Sequence, residues 1–181
     1  MKFPVVYLLH GMGGSPNGSV SVLEAEFRKY EPEHDYIRPL LPHSDPNVLP
    51  SASVDFLRGL ALPKNALLIG ISLGGLVAAK LQEAERPELH VICISSPTYA
   101  GDVELEQHMD RRVSLYSSKD SVIQGRTKRW PKLGLAYDLE WMSHDTDMHA
   151  PRLATILKGY VGGHGMPMML PVTFDVDPEG K

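Results

Sequence analysis

Ala66-Leu67-Leu68-Ile69-Gly70-Ile71-Ser72-Leu73-Gly74-Gly75-Leu76-Val77-Ala78-Ala79 is an apolar run that passes through a G-x-S-x-G pentapeptide straight into a segment with helical spacing. A buried strand over residues 66–69 followed at once by a helix over residues 74–85 leaves the serine on a very sharp turn. Strand and helix then approach too closely for side chains, which accounts for the small residues two before and two after Ser72. On such a turn the Ser72 hydroxyl projects above the end of the sheet. The Leu73 amide lies at a helix N-terminus, where free donors and the helix dipole favour developing negative charge. The competing reading is a glycine-rich turn without chemistry. The strand before and the helix after it favour a nucleophile.

Outward from this stretch, short apolar runs at residues 5–9, 35–38, 90–94, 113–117 and 139–142 alternate with segments of helical period. With residues 66–69 they make six strands of a mostly parallel sheet in a three-layer α/β/α sandwich. A helix over residues 21–30 is predicted from Ser21 and Glu24, which stand at capping-box spacing. Leu153, Ile156, Leu157 and Tyr160 recur at i, i+3, i+4 and i+7, an amphipathic stripe that should pack on the sheet. Four prolines between residues 39 and 50 remove amide donors and fix φ, so this stretch reads as a long surface loop leading to a helix near residues 54–60. Glycine and proline interrupt residues 162–181, which read as an irregular tail with a brief extended piece at 172–174, after a single domain over residues 1–161.

Composition excludes several functions. The chain has 181 residues, 43% of them hydrophobic, and a formal net charge of -4, so no large field of one sign points to nucleic acid or an anionic membrane surface. The lone cysteine, Cys93, lies in an apolar run and allows neither an intrachain disulfide nor a cysteine-based metal site. The apolar stretch at the N-terminus is too short to span a membrane and has no cleavage site after it, which suggests a cytoplasmic protein. A homodimer is compatible with these features.

The loop after the first strand, His10-Gly11-Met12-Gly13-Gly14-Ser15-Pro16-Asn17-Gly18, sits where open α/β sheets place ligands. It lacks the Gly-Lys-Ser/Thr ending of a phosphate-binding P-loop, and Pro16 stands where a dinucleotide fingerprint needs its third glycine. A His-Gly loop supplying an oxyanion donor remains. Leu8-Leu9-His10-Gly11 near the terminus, with Gly70-Ile71-Ser72-Leu73-Gly74-Gly75 some sixty residues later, resembles the α/β-hydrolase superfamily, in particular its small lidless YqiA-like bacterial esterases. Ser15-Pro16-Asn17 matches a segment of those esterases as well. The resemblance runs over residues 5–161 in order of elements, while only the two glycine motifs are specific.

What the resemblance implies is a minimal α/β-hydrolase fold without a cap domain, since only residues 95–112, enough for one short helix, separate the fourth strand from the next. The site should be open, with small acyl esters as substrate and no cofactor. The backbone amides of Met12 and Leu73 would form the oxyanion hole, and His10 would have a structural role. The nucleophile needs an imidazole within reach and a carboxylate to orient it, in the chain order serine, acid, histidine. Asp120, just past a strand end in Asp120-Ser121-Val122-Ile123, matches the family's acid; it could equally cap a following helix. His144 is the expected base, with the last helix beginning about two turns later. His149 on the same loop competes, because the chain shows Ser143-His144 where the family shows Gly-His. The cluster from His144 to His149 fits no common metal-ligand spacing. Arg126, Lys128, Arg129 and Lys132 suit either an anionic leaving group or a solvated surface. The same apparatus would serve a thioesterase or an amidase, and a binding protein could retain the fold without catalysis.

Overall fold

The computed structural model of the chain describes residues 3–164. Six strands form one sheet: β1 (Val6–Leu9), β2 (Tyr36–Ile37), β3 (Leu67–Ile71), β4 (His90–Ile94), then β7 (Arg112–Tyr116) and β8 (Leu135–Asp138). Every pairing in it is parallel, in the order β2-β1-β3-β4-β7-β8. Helices α1 (Ser19–Arg28) and α5 (Thr146–Val161) cover one face, while α2 (Pro50–Gly59) and α3 (Leu73–Ala84) pack together on the other. Side chains sort to the two faces by strand alternation. Val6, Leu8, Leu67, Ile69, Ile92 and Ile94 join the α1/α5 core, and Tyr7, Leu9, Leu68, Val91 and Cys93 join the α2/α3 core.

Sheet order decides where a ligand can bind. From β1 the chain moves outward to β2, then returns to the other side of β1 and continues through β3, β4, β7 and β8. The crevice at the carboxyl ends of β1 and β3 is therefore the topological switch point, where α/β sheets bind their ligands. Both glycine motifs lie there.

Several local expectations need correction. The strand expected at residues 139–142 is instead a turn, with Met142 N–H donating to the Leu139 carbonyl; the sixth strand is β8, four residues earlier. Leu139 and Met142 are buried on the α1/α5 face, so their apolar character reports burial and not extension. Helix α1 starts at Ser19 behind Gly18, without a side-chain cap. Ser21 is already inside it and donates back to the Asn17 and Gly18 carbonyls, while Glu24 pairs with Arg28 and Arg38. Helix α2 begins at Pro50, four residues earlier than expected, with proline in the first helical position where a missing donor costs nothing. Residues 95–112 hold no helix but an antiparallel hairpin, β5 (Tyr99–Ala100) and β6 (Val103–Glu104). There is no cap domain among the described residues. A short helix, α4 (Trp130–Leu133), precedes β8.

Helix α5 runs to Val161, and Gly162, Gly163 and His164 donate back to its last carbonyls; the extended piece expected at residues 172–174 lies outside the described residues. No helix of the described residues is long and apolar enough to cross a membrane. Cys93 is fully buried and its thiol is pushed up to about 12 by burial. It is expected to resist a thiol-specific reagent in native protein and to react fully in denaturant; ready native labelling would contradict this packing.

Candidate active site

Strand β3 delivers Ser72 to the head of α3 with φ 51° and ψ -121°, a conformation that costs a non-glycine residue about 1–3 kcal/mol. Its amide donates to the Ile94 carbonyl at 2.8 Å, and its own carbonyl accepts from Gly75 at 3.1 Å and Leu76 at 3.4 Å. The turn is possible because β3, α3 and β1 meet backbone to backbone. A Cβ on Gly70 would collide with the Gly74 and Gly75 backbone, and one on Gly74 with the carbonyls of Leu9 and His10. The end of β1 is thereby held against the head of α3. Gly70→Ala is expected to destabilise the protein by about 3 kcal/mol or more in chemical denaturation; a loss under ~1 kcal/mol would mean that this approach is looser than described.

The loop after β1 is pinned by two buried histidines. His10, 2% exposed, accepts the Leu41 amide at Nε2 (3.0 Å) and donates from Nδ1 to the Gly11 carbonyl (2.8 Å). His43, fully buried, donates from Nε2 to the His10 carbonyl at 2.8 Å, accepts the Ser53 hydroxyl at Nδ1, and its own carbonyl receives the Gly13 amide. Both rings need their neutral form for these bonds. Burial lowers His10 and holds His43 down to about 4. The amides of Met12 and Leu73 have no hydrogen-bond partner among the described residues.

Because His43 is protonated more readily in the unfolded chain than in the folded one, its contribution to stability is complete above pH ~6.5 and is lost as pH falls towards 4, to an extent of about 3 kcal/mol. His90, likewise held down to about 4 by burial, adds to the same slope. His43→Gln, which keeps a donor for the His10 carbonyl, is expected to flatten part of the pH 6.5–4 decline in unfolding free energy; an unchanged slope would show that His43 titrates freely.

Asp120 follows β7 and is 3% exposed. One carboxylate oxygen accepts the Val122 and Ile123 amides, and the other accepts His144 Nδ1 at 2.8 Å. The turn-capping role and the role as histidine partner are thus held by the same side chain. His144, not His149, makes this contact, and His144 and Ser72 border the same cleft of about 560 Å3. That cleft opens at the switch point between the β1 loop, the head of α3, the β5–β6 hairpin and the loop after β7. Helix α5 starts at Thr146, two residues after His144 and not two turns.

His149 has a different place. Its Nε2 accepts both the amide and the hydroxyl of Ser143, at 3.1 and 2.9 Å, and its ring packs against that of Trp141 in a T-shaped arrangement. The Ser143 carbonyl in turn accepts the Ser95 hydroxyl. The residue that replaces the family's glycine is therefore clamped from both sides. Among the described residues no group of three His, Cys, Asp or Glu side chains could hold a metal ion.

No protein-family model matches the chain, and no curated protein matches it. Solved structures do. Mouse alpha/beta hydrolase domain-containing protein 10 superposes with a TM-score of 0.69 at 14% identity, over 91% of this chain and 92% of that one. The chain has the α/β-hydrolase fold. The ydeN gene product of B. subtilis is similar at a TM-score of 0.64 and 17% identity, over 88% of this chain and 98% of that chain. A Xanthomonas campestris protein described as a hydrolase of the alpha/beta superfamily superposes at 0.63, also at 17% identity, over 88% and 99% of the two chains. The fold reading from the two glycine motifs agrees with these superpositions. The narrower likeness to YqiA-like esterases has no counterpart among them. Within the fold, the sequence did not point to His43, Ser53 or Ser95, because a clamp joining distant loops leaves no local periodicity or motif.

Proposed function

We propose that the chain is a serine hydrolase cleaving small or short-chain carboxylic esters through an acyl-enzyme. The observation that carries this reading is the 2.8 Å pair of buried Asp120 and His144 on the same cleft as Ser72, whose backbone is held at positive φ. Ser72 Oγ attacks the ester carbonyl carbon, and His144 Nε2 takes the hydroxyl proton. Asp120 keeps the Nδ1–H tautomer and stabilises the imidazolium. The carbonyl oxygen gains charge beside the Met12 and Leu73 amides, which border the cleft and serve as its donors. Collapse of the tetrahedral intermediate expels the alcohol, which receives its proton from His144. Water, deprotonated by the same histidine, then attacks the acyl carbon and releases Ser72. Apart from the ester and water, the groups in this sequence are side chains and amides of the chain.

Hydrolysis of p-nitrophenyl acetate by four single variants tests the assignment. Ser72→Ala and His144→Ala are each expected to lower kcat by on the order of 10^3-fold or more, and Asp120→Asn by a comparable factor. His149→Ala should cost only about tenfold, by loosening the loop that carries His144. Equal rates in wild-type and Ser72→Ala protein would defeat the proposal. Inactivity of His149→Ala with an active His144→Ala would transfer the base to His149.

A further inference from the structure

The cleft has one cationic wall. Arg126 borders it, and among the described residues no aspartate or glutamate does. Arg126 sits six residues after Asp120, on the loop that Asp120 itself caps, and its carbonyl is fixed by the amide and hydroxyl of buried Thr98 at 2.8 and 2.9 Å. The position is thus as firmly held as the acid's. The residue is half-buried, and among the described residues its guanidinium makes one hydrogen bond, from Nη2 to the Val122 carbonyl. Among the described residues no carboxylate lies within ion-pair distance of it, whereas its neighbour in the same basic cluster, Arg129, is taken by Glu104, and Arg38, on the Pro16 carbonyl, is taken by Glu24. Lys128 and Lys132 do not reach the cleft.

A guanidinium presents five donors, and among the described residues four of these have no partner. The cleft that it borders is also lined by the apolar side chains of Leu49, Pro97, Ala100, Val122 and Ile123. Low-dielectric walls strengthen the field of a lone charge and make it a ready partner for an anion that can accept two parallel N–H bonds.

We infer that the cleft takes esters that carry an anionic group, a carboxylate or a phosphate, and that Arg126 anchors that group while Ser72 meets the ester carbonyl. The inference rests on the serine-hydrolase reading above and names its substrate class. Arg126 is a specificity-determining residue here and takes no part in proton transfer.

Two matched ester pairs separate charge on the alcohol from charge on the acyl portion: 4-acetoxybenzoate against its methyl ester, and monoethyl succinate against diethyl succinate. Wild-type protein is expected to favour the charged member of at least one pair in kcat/KM. In Arg126→Met the charged-to-neutral ratio should fall on the order of tenfold, the scale of one charge-assisted hydrogen bond, and Arg126→Lys should restore part of it. Calorimetric titration of Ser72→Ala protein with the same four esters reads binding without turnover, and should show the charged members binding tighter, with the difference lost in Ser72→Ala/Arg126→Met. Neutral members preferred in both pairs, or a preference that survives Arg126→Met, would overturn the inference while leaving Ser72-dependent hydrolysis standing. Failure of every ester to turn over, combined with Arg126-dependent binding of the anions, would remove the hydrolase reading and keep the anion site.

Discussion

The backbone of Ser72 at positive φ is the constraint around which the rest of the site is arranged. An L-residue stays in that conformation only if its surroundings leave it no other. Here the Ser72 amide is bound by β4, its carbonyl by the first turn of α3, and the space beside it is filled by the end of β1. Glycines 70 and 74 permit the approach, and the approach in turn sets the distance between the two loops that carry the proposed oxyanion donors. A rigid scaffold of six parallel strands thereby fixes the spacing of groups that come from separate loops.

Neutral imidazoles hold those loops. His43 ties the β1 loop to the proline-rich segment through the His10 carbonyl and the Gly13 amide, and His149 ties Ser143 to the head of α5. Burial lowers the proton affinity of both rings, which keeps the accepting nitrogen free at neutral pH. Four histidines therefore stand near the cleft, and only His144 is paired with a carboxylate. Two loops after β7 and β8 close the arrangement: the first bears Asp120 and Arg126, the second His144.

The elbow and the His-Gly loop were legible because each is local, with a strand, a turn and a helix in adjacent residues. Asp120 was legible as the candidate acid through its place after a strand. The choice between His144 and His149 was not, since the two are five residues apart in the sequence and only the tertiary contact with Asp120 distinguishes them. The misplacement of the last strand has a similar origin. Leu139 and Met142 are apolar because they are buried in a turn, whereas β8 at the sheet edge carries the half-exposed Leu135-Ala136-Tyr137-Asp138. An edge strand with one covered face lacks the continuous apolar run that marked β3 and β4. The hairpin at Tyr99 to Glu104, with Gly101 in the left-handed region at its tip, was hidden by strands of only two residues.

The central claim is that Ser72 is a nucleophile activated by its surroundings, and covalent capture tests it most directly. Native protein treated with a fluorophosphonate probe, then digested and mapped by mass spectrometry, should carry a single phosphonate adduct on Ser72, and denatured protein should carry none. Labelling on any other serine, or equal labelling of Ser72→Ala and wild-type protein, would contradict the account.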